Sequence, residues 1–168
     1  MNGLEEVPFR ESQKLPVWAR WLTFLLIIIF LLSYGIMEQQ GRLDEDDVIG
    51  FCIGLPVLAA VTFLIYGFKL ITEVRSDGVY IKCLPIQWKF KRISFEEMAR
   101  CCARKYRPIV EYGGWGIRWG RSGKAYNAYG NMGVQLELTN GKRLLIGLQE
   151  ADKLAEIING SMKKTQRA

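Results

Sequence analysis

The chain has 168 residues, of which 49% are hydrophobic and 24% are charged, with 23 Lys and Arg against 17 Asp and Glu. It contains no histidine, which excludes a Ser-His-Asp or Cys-His nucleophile pair, a histidine general base and a His-containing zinc site. A domain takes roughly 100–200 residues, so the length allows one domain and a smaller additional segment. The apolar residues are concentrated in the first 71 positions, and this asymmetry is the main lead to the architecture.

The first apolar segment is predicted to be a transmembrane helix over residues 17–37. It carries one charge, Arg20, and its centre from Leu22 to Leu32 is apolar except for one threonine. At 1.5 Å rise per residue, about 21 residues cover roughly 30 Å, the thickness of a hydrocarbon core. The alternative is a cleaved signal peptide, which the acidic N-terminal region and the lack of a small-x-small site after the apolar core both disfavour. We therefore expect a retained anchor, preceded by a cytoplasmic segment over residues 1–16.

A second transmembrane helix is predicted over residues 48–71, an apolar run whose one charge, Lys69, can snorkel to the membrane surface. Gly50 and Gly54 have the Gly-x-x-x-Gly spacing that lets another helix approach closely. They predict a helix-pairing seam, most simply with the first helix. Glycine is also common in membrane helices without any such role, so both interpretations stay open.

The short loop over residues 38–47 predicts the orientation of the chain in the membrane. It holds five acidic residues and one base, whereas Lys and Arg precede the first apolar segment and flank the end of the second. Cytoplasmic loops carry the excess of Lys and Arg, so the acidic loop is predicted outside and both termini in the cytoplasm. The expected localisation is the plasma membrane, as a multi-pass protein.

After residue 71 the sequence changes to a strand-like alternation of apolar and polar residues. A period of two is typical of a strand with one buried face. Three stretches show it, with apolar positions at Val79, Ile81 and Cys83; Ile86, Trp88 and Phe90; and Val134, Leu136 and Leu138. Asp77-Gly78 and Asn140-Gly141 are strong hairpin signals between strands. Residues 98–107 and 112–129 are expected to supply two to four further strands, with weaker register.

The C-terminal part of the domain switches to helical spacing. One apolar stripe is formed by Ala151, Leu154, Ala155 and Ile158. Gly160 is read as the stop of this helix. Six or seven strands and one closing helix predict an α+β membrane protein, a two-helix transmembrane hairpin followed by a small β-barrel or orthogonal sandwich with a C-terminal capping helix. We assign the domain to residues 72–160 and a basic tail to residues 161–168.

Several stretches carry a resemblance to a known family. They are Phe9-Arg-Glu-Ser-Gln13, Tyr112-Gly-Gly-Trp-Gly-Ile-Arg118, Ala125-Tyr-Asn127, Gly133-Val-Gln-Leu-Glu-Leu138 and Gly141-Lys-Arg-Leu-Leu-Ile-Gly147. The chain resembles an uncharacterised family of two-span bacterial membrane proteins with a pleckstrin-homology (PH)-like cytoplasmic domain. The resemblance implies a membrane protein with a PH-like domain and no assigned reaction. Similarity of fold alone assigns no ligand.

The predicted cytoplasmic domain is strongly basic. From Thr72 onward the chain holds eighteen Lys and Arg against nine Asp and Glu, a net charge of +9. With almost no linker after the second helix, the domain is expected within about one Debye length, ~8 Å at physiological salt, of the anionic inner leaflet. Positive-inside bias alone also produces such an excess. The residues predicted to contact anionic lipid or a partner are Lys89, Lys91, Arg92, Arg100, Arg104, Lys105, Arg107, Arg118 and Arg121.

Other chemistries find little support. Aromatic residues between the bases resemble a nucleic-acid stacking platform, but strand aromatics usually fill a core, so no nucleic-acid partner is expected. The four cysteines lack Cys-x-x-Cys spacing and no two carboxylates are placed to face each other, so no metal, cofactor or catalytic residue is predicted. The expected function is a non-enzymatic, membrane-anchored binding or scaffolding module that engages lipid, another membrane protein or itself. The alternative is an accessory subunit of a membrane transport or signalling complex, acting through its helical hairpin.

Overall fold

The computed structural model describes residues 8–165 of the chain. It is an α+β structure with two units: a helical unit over Leu15–Gly67, and a β domain built from residues 8–14 and 68–165. Residues 1–7 of the predicted N-terminal segment and 166–168 of the predicted basic tail lie outside the described residues. The elements in chain order are β1 (Phe9–Lys14), α1 (Val17–Gln39), α2 (Glu45–Gly67), β2 (Lys69–Arg75), β3 (Gly78–Leu84), β4 (Gln87–Ser94), a 3-10 turn (Phe95–Glu97), β5 (Met98–Lys105), α3 (Pro108–Tyr112), β6 (Gly116–Gly120), β7 (Gly123–Asn127), β8 (Met132–Leu138), β9 (Arg143–Gly147) and α4 (Ala151–Thr165).

The helical unit consists of α1 and α2, each 23 residues long and apolar enough to cross a membrane. At 1.5 Å rise per residue each helix is about 34 Å long, compared with roughly 30 Å for a hydrocarbon core. Both helices are described in full, and Thr23 is the one buried residue in α1 while α2 has none. Large apolar side chains such as Phe63, which is 70% exposed, therefore face outward rather than into a protein core.

Aromatic side chains join the two helices along their length. The ring of Phe51 lies 4.8 Å from that of Phe30 and 4.7 Å, edge-on, from that of Tyr34. At the other end of the pair, Tyr66 meets Phe24 edge-on at 5.6 Å. Edge-to-face pairs of this kind contribute about 0.5–1.5 kcal/mol each beyond the area that they bury. The helices form an antiparallel hairpin held by edge-on and tilted ring contacts.

Helix α2 begins earlier than the predicted range of residues 48–71. It begins at Glu45, because the side chain of Asp44 accepts the backbone N–H of Asp47 at 2.9 Å and caps the first turn. The three acidic residues of that turn also lie at the positive end of the helix dipole. Half of the predicted loop over residues 38–47 is therefore helical, and the connection between α1 and α2 is shorter than predicted.

Helix α2 also ends earlier, at Gly67, because residues 69–71 belong to strand β2. Leu70 and Ile71 are buried in the β domain, with exposed fractions of 1% and 7%. Lys69 is the one charged residue at this boundary, and a single lysine can also snorkel from the end of a membrane helix, so hydropathy could not separate helix from strand. The predicted domain boundary at residue 72 is thus wrong by several residues.

Strand β1 is the larger correction to the predicted domain organisation. It precedes α1, yet it pairs antiparallel with β2 over its whole length, from Phe9 opposite Val74 to Lys14 opposite Lys69. The predicted separate N-terminal segment is therefore an edge strand of the first sheet, whose order is β1-β2-β3-β4. The helical hairpin is the connection between two neighbouring strands.

The second sheet has the order β5-β8-β9-β7-β6 and is antiparallel except for β7 beside β9. Helix α4 packs on β5 and β8, and all four residues of its predicted apolar stripe are buried. The helix does not stop at Gly160 as predicted but continues to Thr165. Met162, four residues after Ile158, is also buried, so the stripe continues past the glycine and holds the last turns on the sheet.

Strand β4 departs from the predicted alternation. Ile86, Trp88 and Phe90 were expected on one buried face, but Ile86 is 66% exposed, Trp88 is 72% exposed, and Phe90 is half-buried. The pairing of β3 with β4 shifts after Ile81, so that β4 carries two more residues than β3 across this stretch. Such a bulge moves the following side chains off the core face.

A half-buried glutamine, Gln87, stabilises this bulge. The amide of Gln87 donates to the carbonyl of Ile81 at 2.9 Å and to that of Lys89 at 3.1 Å. Its oxygen accepts the hydroxyl of Tyr126 on β7 at 3.4 Å. Gln87 therefore satisfies the backbone that the bulge leaves unpaired and joins the first sheet to the second.

Glu11 fastens the N-terminal strand to the C-terminal helix. Its carboxylate accepts the backbone N–H groups of Gln149 and Glu150 at 2.8 and 3.1 Å, immediately before α4 begins. The free N–H groups at a helix start need such acceptors. The two ends of the described chain are thus held together by a side chain that lies before the helical hairpin.

We expect Glu11→Ala to destabilise the β domain, because the N–H groups at the start of α4 lose their acceptor. Loss of a helix cap costs about 0.5–2 kcal/mol, which corresponds to a fall in melting temperature of roughly 2–6 °C, measured on the full chain in detergent. The control is Glu156→Ala, which removes the same charge from the exposed face of α4. Equal melting temperatures for the two variants would show that the Glu11 cap contributes nothing.

Candidate functional site

One concave site in the β domain, the basic pocket, has a volume of about 730 Å³ and opens between β4 and two hairpin turns of the second sheet. The turns are the β6–β7 turn around Arg121 and the β8–β9 turn around Lys142. Among the described residues that line it, six are basic and Glu97 is the one carboxylate. The six are Lys91, Arg92, Arg121, Lys124, Lys142 and Arg143.

Close backbone packing brings the two turns together. Gly123 has a φ of +97°, and a Cβ at this position would lie 2.1 Å from the carbonyl oxygen of Arg143. Only glycine combines this conformation with this approach. Lys124 then pairs alongside Leu144 in the parallel β7–β9 ladder. The turn glycine therefore sets bases of one hairpin beside bases of the next.

The basic side chains of the pocket differ in how far they are neutralised. Arg92 bonds to Asp77 at 2.7 Å and Arg143 to Glu137 at 3.5 Å, both at exposed positions, where ion pairs contribute little. Within residues 8–165, no carboxylate lies within 4.0 Å of the remaining bases, which are Lys91, Arg121, Lys124 and Lys142. The pocket therefore keeps a concentration of positive charge in a concave site, which favours an anion.

An exposed tryptophan forms one side of the basic pocket. Trp119 is 71% exposed, and the ammonium group of Lys124 lies 4.5 Å from its ring centre and 4.9 Å from that of Tyr126. A cation held over an aromatic face in this way is fixed without losing its charge. The site thus combines bases that can bind phosphate oxygens with a flat apolar surface.

The structure separates the basic residues that the sequence predicted as one contact set. Lys91, Arg92 and Arg121 line the basic pocket. The others lie elsewhere in the β domain: Lys89 in the β4 bulge, Arg100 and Arg104 along β5, Lys105 and Arg107 at the end of β5, and Arg118 on β6 with its guanidinium bonded to the carbonyl of Trp115. The predicted contact set does not include the other three bases of the pocket, Lys124, Lys142 and Arg143. The Asn140-Gly141 turn signal immediately before Lys142 and Arg143 could have placed these two at a hairpin end.

Arg104 has a structural role in the β domain. Its guanidinium donates to Glu111 at 2.9 Å, to the hydroxyl of Tyr112 at 3.2 Å and to Gln135 at 3.1 Å. Glu111 in turn accepts the backbone N–H of Arg107 at 2.7 Å. Burial acts to raise the pKa of the Glu111 carboxyl, but the bonds from Arg104 and Arg107 outweigh it and the pKa is lowered. The network fixes α3 to β5 and β8.

The two glycines predicted as a helix-pairing seam have different surroundings. A Cβ at Gly54 would lie 2.7 Å from the ring of Phe30 on α1, so this glycine gives the space that the ring occupies. A Cβ at Gly50 would meet no heavy atom within 4 Å. Gly54 therefore serves the pairing of α1 with α2, whereas Gly50 lies on an open face of α2.

Two buried cysteines of the β domain, Cys83 and Cys101, are not activated. Burial raises the pKa of the Cys83 thiol to about 11, and burial together with the neighbouring Cys102 raises that of Cys101 to about 12. The thiolate is the reactive form, so both side chains are neutral, small and apolar in character. Within residues 8–165, no group of three or more Cys, Asp or Glu side chains is placed to hold a metal ion.

We expect Glu111→Gln to lower the melting temperature of the full chain in detergent near pH 7, because the folded state favours the ionised carboxylate. The lowered pKa stabilises the fold above the ordinary value of 4.5, and this contribution is lost as the pH falls through the folded value. The difference from the wild type should therefore shrink as the pH drops below that range. Glu156→Gln is the exposed control, and a difference that does not change with pH would contradict the role of ionisation.

A search of curated proteins and a search of solved structures found no match to this chain. One family model matches residues 9–164, and its description is a family of unknown function, DUF6141. The match begins at the first residue of β1 and ends within α4, so it takes in both the helical unit and the β domain. The chain therefore belongs to this uncharacterised family, DUF6141.

Proposed function

We propose that this protein is a non-enzymatic, membrane-anchored binding module. Its two helices cross the plasma membrane as a hairpin with both termini in the cytoplasm, and its β domain is a PH-like domain that binds a phosphate-bearing anion in the basic pocket. The observation that carries the proposal is the composition of that pocket, in which six bases and one carboxylate surround a volume of about 730 Å³. Phosphate groups are recognised by such convergent Arg and Lys side chains.

The connectivity of the first sheet supports the hairpin topology. Lys14 pairs with Lys69, so the chain leaves the β domain and returns to it on adjacent strands, which lie about 5 Å apart. An even number of membrane crossings is the topology compatible with that pairing. The acidic connection between α1 and α2 and the bases that flank the helices then favour a cytoplasmic β domain.

The order of strands supports a PH-like domain. Four antiparallel strands in sequence order form the first sheet, and β5, β8 and β9 continue as an antiparallel set in the second, followed by the closing helix α4. The β6–β7 hairpin is an addition at the edge of the second sheet. This added hairpin supplies Arg121, Lys124 and Trp119 to the basic pocket.

Strand register favours an anion that arrives from the aqueous phase. We call the edge of the first sheet at Lys14, Lys69 and Leu84 the exit end, because the chain leaves there for the helices. Lys91 on β4 pairs with Ile81 on β3, and Ile81 pairs with Thr72 on β2. Thr72 lies three residues, or about 10 Å, beyond Lys69 along β2. Within the β domain the basic pocket therefore lies away from the exit end, which favours a soluble phosphate over a lipid headgroup as its ligand.

We expect inorganic pyrophosphate to bind the full chain in phosphatidylcholine nanodiscs and to change the emission of Trp119. Replacing Lys91, Arg121 and Lys142 by Gln together should weaken this binding by at least roughly tenfold, because each charged hydrogen bond contributes about 1.5–3 kcal/mol. The matched control replaces Arg100, Lys163 and Lys164, which removes the same charge from positions outside the pocket.

Two outcomes would contradict the proposed ligand site. If the pocket variant binds pyrophosphate as tightly as the control variant, the convergent bases are not the site. If phosphatidylglycerol in the disc changes the emission of Trp119 in the absence of pyrophosphate, the pocket takes a lipid headgroup rather than a soluble phosphate. Trp119→Phe identifies the optical signal, since it should remove the response in every case.

One observation favours a second function, that of an accessory subunit in a membrane complex. Gly50 lies on a face of α2 where a side chain would meet no atom within 4 Å, so another helix could approach closely there. We expect Gly50→Leu to reduce the size of the complex that the chain forms in mild detergent, measured by size-exclusion chromatography with light scattering. Gly35→Leu, at an equally open position on α1, is the control. An unchanged complex size for Gly50→Leu would exclude this face as the contact.

A further inference from the structure

The turn between β3 and β4 is unusually apolar for a solvent-facing turn. We call residues 84–88 the apolar tip; they are Leu84, Pro85, Ile86, Gln87 and Trp88. Turns normally use Gly, Asn, Asp, Ser or Pro, yet here Ile86 is 66% exposed and Trp88 is 72% exposed. We propose that the apolar tip inserts into the interfacial layer of the membrane that holds α1 and α2, and so orients the β domain on it.

Strand register puts the apolar tip at the exit end. Leu84, the last residue of β3, pairs with Lys69, and Lys69 pairs with Lys14. Adjacent strands are about 4.8 Å apart. The tip therefore begins about 5 Å from the point where the chain enters β2 from α2, and about 10 Å from the point where β1 leaves for α1.

The residues around the tip suit a membrane interface. Tryptophan prefers the headgroup level, where its ring is apolar and its N–H is hydrated. Lys14 and Lys89 are exposed and Lys69 is half-buried, so three ammonium groups share this edge with the apolar side chains. Such bases are attracted to anionic headgroups. The edge is apolar at its centre and basic around it.

A second exposed apolar pair lies at the corresponding end of the second sheet. Ile109 and Val110 on α3 are 68% and 76% exposed, and α3 follows the end of β5 and leads to the start of β6. The bond from Tyr126 to Gln87 joins this end of the second sheet to the tip. Ile86, Trp88, Ile109 and Val110 therefore expose apolar surface toward the exit end, whereas Trp119 is exposed at the basic pocket.

The β4 bulge explains how the fold can keep the tip exposed. Gln87 is the polar residue of the tip, and its amide is used for the carbonyls of Ile81 and Lys89. The backbone of the bulge is thus satisfied without water, while Ile86 and Trp88 on either side remain outside the core. A turn that is hydrogen-bonded at its base and exposes apolar side chains at its end is suited to insertion into a membrane interface.

The occupant that fits this edge is lipid, and this inference rests on the proposed membrane topology. Both helices are joined to the β domain at the strands next to the tip, α1 through residues 15–16 and α2 through residue 68. Lipid that surrounds the helices is therefore only a few residues of chain away from this edge. The other occupants are distinguished by the experiment below.

The experiment uses the full chain, one copy per disc, in phosphatidylcholine nanodiscs with or without bromine on the acyl chains near the headgroup. Bromine quenches tryptophan only on close contact. The emission of Trp88 is obtained as the difference between the wild type and Trp88→Phe. We expect this emission to be at least about twofold weaker in brominated discs, because the ring lies at the headgroup level. Trp119→Phe is the matched control, since its ring is as exposed but lies at the basic pocket, and the emission that it removes should be equal in both discs.

Further variants separate the possible failures. The emission lost in Trp18→Phe/Trp21→Phe reports on α1; if bromine leaves that emission unchanged, the membrane topology itself is wrong. If α1 is quenched and Trp88 is not, the topology stands and the tip inference is overturned. Shielding of Trp88 from acrylamide without quenching by bromine would also overturn it, in favour of a protein contact. Ile86→Asp should reduce the quenching of Trp88 at least about twofold, because a carboxylate disfavours insertion.

Discussion

The pairing of β1 with β2 is the interaction on which the rest of the structure depends. It joins Phe9–Lys14 to Lys69–Arg75, two strands that are separated in sequence by residues 15–68. Closing a flexible loop of that length would cost roughly 3–4 kcal/mol of chain entropy. The helical hairpin removes much of this cost, because the hydroxyl of Tyr66 near the end of α2 reaches the carbonyl of Arg20 near the start of α1. Formation of the hairpin therefore prepares the pairing that completes the β domain.

The same pairing makes the β domain depend on residues that precede the first helix. Phe9 is 3% exposed, and Glu11 supplies the acceptor for the start of α4. A fragment that begins after the second helix would lack an edge strand, a core ring and a helix cap. The helical hairpin and the β domain are separate units in packing but are a single unit in connectivity.

Sequence periodicity could predict the elements with one well-defined buried face. The alternation at Val79, Ile81 and Cys83 and the stripe of α4 correspond to buried positions, because each pattern reports on a single local surface. Two apolar helices were likewise readable from composition alone.

The features that the sequence could not supply are those set by distant partners. Strand β1 has little apolar pattern of its own and is defined by its pairing with β2. The exposure of Trp88 follows from a register shift that depends on Gln87 and its contact with Tyr126. The basic pocket combines β4 with two hairpins far along the chain, so runs of Lys and Arg in the sequence did not outline it. A charge run reports density along the chain, whereas a site is defined by convergence in space.

The structure divides the basic residues of the β domain into at least three groups with different physical effects. Arg75 binds the buried carboxylate of Glu73 at 2.9 Å and Arg104 binds Glu111, so these bases stabilise the fold. Bases such as Lys69 lie at the exit end beside exposed apolar side chains. In the pocket, by contrast, like charges converge with few carboxylates, and such a cluster destabilises the compact state by self-repulsion. An anion that binds there relieves the repulsion and stabilises the fold by mass action, so the clustering is better explained by a ligand than by solvation of the surface.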